Sequence, residues 1–238
     1  MSLENKVAII TGASSGFGRA LAIRLAKRST KLILGDIDVK DGQELAKELN
    51  QDKQEPVAHF VQCDVTIHAQ LASLFTAAQD KFGRLDIVIN NAGIVEHLPL
   101  HMDEEGTWMK KAPGRKEGAV IVNTASVAGL HPFPLAPTYT AAKHGVVGLT
   151  RSFKGVEVDG LKIRVNAIAP TFADTRIIAP IREWVQTQMT LVPVEQVLDA
   201  FMMAIEDRGL EGDVLHITPN SGIQVLGRET KGWPPVKL

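Results

Sequence analysis

Short aliphatic, β-branched runs alternate with stretches of helical spacing along this chain, and that alternation restricts its fold more than any other feature. Val7–Ile10, Lys31–Gly35, Val57–Gln62, Ile87–Asn90, Ala119–Asn123, Ile163–Ala167 and Val214–Ile217 read as strands. They are continuous apolar runs rather than alternating ones, as expected of strands covered on both faces. Gly18–Lys27, Asp41–Leu49, Gln70–Lys81, Tyr139–Phe153 and Val194–Glu206 carry the spacing of helices. Such alternation predicts an α/β fold with a doubly wound parallel sheet. No repeat, low-complexity tract or linker divides the 238 residues, so a single domain over 1–238 is expected.

Composition removes several functions. A formal charge of −1 and a pI near 6.7 leave no electrostatic footprint for nucleic acid. No apolar stretch is long enough to span a bilayer, and the first apolar run begins at Val7, which leaves no room for a signal peptide. Cys63 is the sole cysteine, so no internal disulfide forms and a reducing, cytoplasmic setting is expected. The histidines are scattered; His97 and His101 are four apart but Pro99 lies between them, and no metal site is expected.

The first strand runs into Thr11-Gly12-Ala13-Ser14-Ser15-Gly16-Phe17-Gly18, after which the pattern turns helical. A strand, a glycine-rich turn and a helix N-terminus offer backbone N–H groups and a positive dipole end to a pyrophosphate. The spacing is G-x-x-x-G-x-G, and a purely structural turn is the competing reading. The second strand ends in Gly35-Asp36-Ile37. A carboxylate there accepts hydrogen bonds from ribose hydroxyls and repels the extra phosphate of NADP, so Asp36 argues for NAD. Its competing reading is an N-terminal charge for the following helix. Cys63-Asp64-Val65 and Asn90-Asn91-Ala92-Gly93 follow the third and fourth strands, with Asp64 placed to meet an adenine amino group. All these groups lie at carboxyl ends of expected strands, where ligands bind in open α/β sheets.

The chain has one tyrosine, Tyr139, four residues before Lys143. On a helix the two share a face. An ammonium beside a phenol favours the phenolate, and the hydroxyl of Ser126, after the fifth strand, would orient a substrate oxygen. Together they describe a general base for an alcohol.

Thr11–Gly18, Asn90–Gly93, Ser126, Tyr139, Lys143 and Arg164–Pro170 resemble the short-chain dehydrogenase/reductase family in order and spacing. The resemblance covers almost the whole chain and implies a Rossmann-type fold and an NAD-dependent oxidoreductase that interconverts a secondary alcohol and a ketone. It implies Tyr139 as acid/base, Lys143 as its partner and the holder of the nicotinamide ribose, and Ser126 as the hydrogen-bond donor to the reacting oxygen. It further implies cofactor contacts from Gly12, Ser14, Ser15, Gly16, Phe17, Gly18, Asp36, Ile37, Cys63, Asp64, Val65, Asn91, Ala92, Gly93, Tyr139, Lys143, Pro170, Phe172 and Thr175. The implied partners are an apolar alcohol or ketone of small size and further copies of the chain in a homo-oligomer. Val127–Leu130 and Ala204–Thr218 are similar to hydroxyprostaglandin dehydrogenase-like members, although Ala136 stands where those have a substrate-binding glutamine.

One departure stands out. Parallel strands need a crossover of a dozen or more residues, usually helical. Here Ile94–Gly118 contains Pro99, Gly106, Pro113 and Gly114, with a short, poorly patterned helix over Asp103–Lys111 at most. Against the family, roughly 20 residues are missing near Trp108-Met109, including the relay asparagine and a helix that commonly forms the dimer contact. Either the protein lacks that helix or this sequence lacks residues the natural one has. Thr171 replaces a usual glycine. Residues 171–193 read as a substrate lid, in which Trp184 lines an apolar pocket or anchors the lid, and 227–238 as an extended tail. The missing helix supports a rival reading, a catalytically weak dinucleotide-binding sensor or interaction protein.

Overall fold

A computed structural model describes residues 2–93, 118–158, 161–175, 178–179 and 182–226. The short crossover, His97, His101, Trp108 and the tail lie outside the described residues. Two compact units divide the chain, the first holding residues 2–93 and the second residues from Val120 onward.

In the first unit β1 (Val7–Thr11), β2 (Lys31–Asp36), β3 (Ala58–Gln62) and β4 (Ile87–Asn90) lie in the order β3-β2-β1-β4. All pairs are parallel: Ile9 stands opposite Ile33 and Val88, and Ile33 opposite His59. Three helices join them, α1 (Gly16–Ala26), α2 (Val39–Asn50) and α3 (His68–Phe82). Val7, Ile9 and Ile33 pack with Leu74 and Ala78 of α3. The alternate residues Leu32 and Leu34 are equally buried on the opposite face, which is why the runs show no polar alternate. Chain order reverses between β1 and β4, which makes their carboxyl ends the switch point of this unit.

The second unit holds β5 (Ala119–Thr124), a 3-10 turn (Val127–Gly129), α4 (Pro137–Ser152), β6 (Glu157–Val158), β7 (Leu161–Pro170), α5 (Arg182–Gln188), α6 (Val194–Glu206), β8 (Val214–Thr218) and β9 (Gly222–Leu226). Its order is β5-β7-β8-β9, with β7 and β8 parallel and β9 antiparallel to β8. Val147 of α4 packs on Ala125, Ala167, Ala169 and Val214. Besides the two-residue β6 and the 3-10 turn, two elements were not read from the sequence. β9 follows Pro219-Asn220-Ser221-Gly222, a turn signal leading into the alternation Ile223-Gln224-Val225. α5 lies inside the expected lid, where its seven residues, about two turns, are too short a pattern to register.

The ends of that lid segment meet. Ala173 bridges Val192, the Val192 N–H donates to the Phe172 carbonyl at 2.8 Å, and Asp174 pairs with Arg182 at 2.5 Å. Val185 is fully buried whereas Trp184 is 44% exposed, so Val185 and not Trp184 anchors α5.

Arg164 on β7 is 7% exposed, and its guanidinium donates to the carbonyls of Ala204, Ile205, Asp207 and Leu210 at 2.6–3.2 Å. These include the last carbonyls of α6, which lack partners within the helix. Arg164→Met leaves all four without this donor. The expected loss is about 3–5 kcal/mol, read as a lower urea midpoint with an unchanged denaturant slope.

Candidate active site

The first unit presents a glycine-rich turn closed by its own neighbours. Gly12 has φ +64°, and a Cβ there would sit 2.9 Å from Ala92 Cα. A Cβ on Gly18 would overlap the Gly12 carbonyl oxygen. Neither position has room for a side chain, so the turn and the start of α1 pack directly on Asn91-Ala92. Gly16 and Phe17 begin α1, Gly16 exposed and Phe17 half-buried; no side chain caps the helix at Ser15. Among the described residues no side-chain cap takes the first N–H groups of α1, which suits them to meet a phosphate.

Thr11 and Asn91 hold this turn. The Thr11 hydroxyl accepts from the N–H groups of Asn91 and Ala92, each at 3.1 Å. The Asn91 side-chain amide donates to the carbonyls of Thr11 and Gly12 at 3.0 and 3.1 Å. Asn91 thus braces the loop rather than extending freely from it. Gly93 beside it is exposed. Thr11 opens the glycine-rich motif, but its bracing of the turn leaves no mark in the spacing.

Asp36 is half-buried, and its two carboxylate oxygens accept from the N–H groups of Ser14 (2.8 Å) and Asp38 (3.0 Å). The cap of α2 is Asp38, whose side chain accepts from the Asp41 N–H. Asp36 is therefore not the helix charge; it ties the glycine turn to the end of β2. A carboxylate has about four lone-pair sites, so both oxygens can still accept from ribose hydroxyls. Ile37 next to it is 66% exposed.

Asp64 is held by Thr66, whose N–H and hydroxyl donate to one carboxylate oxygen at 2.9 and 2.7 Å and keep the acid below its ordinary range. Cys63 is buried, and burial followed by the charges of Asp64 and Asp36 raises its thiol. It stays a protonated thiol, with half-buried Val65 two residues on.

The second unit holds the other candidate groups. Ser126 caps the 3-10 turn, its Oγ accepting from the Ala128 N–H at 3.2 Å, and its hydroxyl lies near enough to Tyr139 on α4 to lower the titration of that phenol. The Lys143 ammonium lies 5.5 Å from the centre of the Tyr139 ring and donates to the Thr124 carbonyl at 2.7 Å. The i,i+4 spacing thus brings Tyr139 and Lys143 together, and the turn after β5 brings Ser126 to them. Burial, more than the lysine expected to lower the tyrosine, governs the titration of the phenol. Burial raises the Tyr139 phenol and the Ser126 hydrogen bond offsets only part of that rise. Burial also lowers the Lys143 ammonium to about 8. The lysine stands over the ring face, with its hydrogen bond directed at a backbone carbonyl that no sequence pattern reveals.

Phe133 joins this group. Thr140 bonds its backbone N–H and carbonyl, both at 3.2 Å, and its ring meets Phe172 edge-on at 5.7 Å. Pro170 closes β7 opposite Ile217, and the Thr175 hydroxyl points back to the Ala173 carbonyl. His144 faces outward, with Nδ1 2.9 Å from the Thr140 carbonyl. Among the described residues no three His, Cys, Asp or Glu side chains gather as a metal site would require, and no helix is long and apolar enough to cross a membrane.

The sequence profile of the family described as short chain dehydrogenase matches residues 6–113 and 107–186. The chain belongs to the short chain dehydrogenase family. It is an oxidoreductase of the class that acts on CH–OH and C=O groups, and its α/β, doubly wound, mostly parallel architecture is that of the family. The human "15-hydroxyprostaglandin dehydrogenase [NAD(+)]" is 33% identical over 259 residues, covering 97% of each chain. A "3beta-hydroxysteroid dehydrogenase" of Mediterraneibacter gnavus is 31% identical over 81% of this chain and 75% of its own. Among solved structures, a 3-ketoacyl-(acyl-carrier-protein) reductase from Brucella melitensis complexed with NADH is similar at a TM-score of 0.73. It is 27% identical and covers 92% of this chain and 99% of its own. The alignment with the human dehydrogenase is longer than this chain's 238 residues, so that relative has positions without a counterpart here. The family match falls in two segments that overlap at residues 107–113, within the sequence Ile94–Gly118.

Proposed function

We propose that this short chain dehydrogenase interconverts a secondary alcohol and a ketone with NAD, Tyr139 serving as acid and base. The observation that carries the reading is the half-buried phenol of Tyr139, with Ser126 close enough to influence its titration and the Lys143 ammonium over its ring. Bound NAD supplies the hydride acceptor through its nicotinamide. The glycine turn and the first N–H groups of α1 hold its phosphates, Asp36 its adenosine ribose and Asp64 its adenine. Asn91, Ala92 and Gly93 wall the turn. Ser126 donates a hydrogen bond to the carbinol oxygen, which fixes that oxygen beside the phenol. Tyr139 Oη removes the hydroxyl proton in oxidation and returns it in reduction. The positive charge of Lys143 stabilises the phenolate whenever that proton has left.

Phe172 against Phe133, and a buried Ala136 in place of an amide side chain, support an apolar substituent on the carbinol carbon. The chain acts as one domain, with residues 171–193 as lid, in a homo-oligomer. The test is NADH absorbance with purified protein and a panel of secondary alcohols and ketones. Turnover on one of them is expected; NAD binding without any turnover would select the sensor reading.

A pH dependence follows from Lys143. In ketone reduction Tyr139 gives up its proton, and a charged Lys143 favours that step. Because the ammonium is lowered to about 8, its charge fades as pH rises through that value. Reduction is therefore expected to fall above about pH 8, in the absence of any change in substrate or cofactor saturation. In Lys143→Arg, whose charge does not titrate, that limb should vanish.

A further inference from the structure

The turn that carries Ser126 meets the helix that carries Tyr139 and Lys143 at one residue without a side chain. A Cβ on Gly129 would lie 2.5 Å from the Lys143 carbonyl oxygen, 2.8 Å from its carbonyl carbon and 3.1 Å from Val147 Cγ2. Two of those three atoms belong to the helix backbone and cannot rotate aside. We propose that Gly129 is a positioning residue: its missing side chain sets the separation of the turn from α4 and thereby the placement of the Ser126 hydroxyl against Tyr139. This inference rests on the reading that Ser126 and Tyr139 act together on the substrate oxygen.

The turn transmits displacement because it is closed on itself. The Gly129 N–H donates to the Ser126 carbonyl at 2.9 Å, and the N–H groups of Leu130 and His131 both donate to Val127 at 2.9 Å. Ser126 Oγ accepts from Ala128 within the same turn. On its other side the stretch is held by Lys143 itself, whose Nζ bonds the Thr124 carbonyl at 2.7 Å. Lys143 therefore touches this stretch twice, through its side chain before Ser126 and through its backbone after it. A methyl group at Gly129 needs roughly 1 Å more room to reach ordinary contact with that carbonyl. The turn moves away as a unit and Ser126 with it. A misplacement of about 1 Å in an aligned site costs on the order of 10²-fold in rate.

The experiment compares wild type with Gly129→Ala, Ser126→Ala, Tyr139→Phe and the double variant Gly129→Ala/Ser126→Ala. The probe is the secondary alcohol turned over best in the panel. Gly129→Ala should lower kcat by roughly 10- to 100-fold while NADH binding stays as in wild type. Because it acts through Ser126, the double variant should be no slower than Ser126→Ala by more than about twofold. A second readout needs no substrate. Tyr139 is the only tyrosine in the chain, so the phenolate absorbance band reports it alone. The Ser126 hydrogen bond lowers its titration, so Gly129→Ala and Ser126→Ala should each move the midpoint to higher pH, and the double variant no further. Wild-type kcat and midpoint in Gly129→Ala, multiplicative losses in the double variant, or a Gly129→Ala protein that does not fold each overturn the inference. Wild-type turnover in Ser126→Ala and Tyr139→Phe instead removes the reading on which it rests.

Discussion

Tyr139→Phe should reduce turnover by on the order of 10²–10⁴-fold, the range spanned by a positioned general acid or base. The substitution is unusually specific here. Phenylalanine keeps the ring under the Lys143 ammonium and nearly the same packed volume, and it deletes only the hydroxyl whose titration Ser126 lowers. Ser126 Oγ still accepts from the Ala128 N–H, and because Ser126 is half-buried its own O–H can turn to solvent, so the stability cost stays near 1 kcal/mol. NADH affinity should not change, because the glycine turn, Asp36 and Asp64 are untouched. The measurement is kcat for the best alcohol together with NADH binding on the same preparation. Loss of turnover with binding intact supports the acid/base role. Turnover that survives would remove Tyr139 from the mechanism and leave the proton to be carried by another group. The same variant abolishes the phenolate band, since the chain holds no other tyrosine.

The sheet was legible because its strands are covered on both faces. Burial of every residue from Val7 to Ile10 leaves the uninterrupted apolar run that marks such a strand. β9 and α5 were lost for opposite reasons. β9 alternates, as a strand beside a tight turn does, but follows a strand already read as the last; α5 is too short for periodicity to rise above its neighbours. In the site, residue types and order pointed to Ser126, Tyr139 and Lys143, since catalysis constrains chemistry along the chain. What the sequence could not show is where backbone groups stand. The Thr124 carbonyl that takes the Lys143 ammonium and the Lys143 carbonyl that crowds Gly129 have no letter of their own. The direction of the Tyr139 shift was hidden for the same reason, because burial is a property of the packed molecule and outweighs the hydrogen bond. Two acids two residues apart, Asp36 and Asp38, were equally good helix charges on paper. Only their hydrogen bonds separate the cap from the acid that ties the glycine turn.

Asp36→Ala should raise the preference for NADP over NAD by roughly 10- to 100-fold, from the loss of hydrogen bonds to a charged group worth about 1.5–3 kcal/mol. The carboxylate favours the ribose diol of NAD and opposes the added phosphate of NADP through like charge, so its removal acts on both sides of the ratio. The substitution also has a structural cost. It strips the acceptor from the N–H of Ser14, a residue 2% exposed, and from that of Asp38. The glycine turn should loosen, and kcat/KM with NAD should fall for that reason as well as for the lost ribose contact. Comparing the two cofactors on one variant separates these effects, because both use the same turn and the damage to it cancels in the ratio. Asp36→Asn refines the comparison: its amide oxygen can still accept one of the two N–H groups, but it carries no charge. If selectivity comes from charge, the asparagine variant shifts the ratio nearly as far as alanine while keeping a higher melting temperature. A ratio unchanged in both variants, with only the melting temperature lowered, would make Asp36 a brace of the turn and move cofactor choice to another residue.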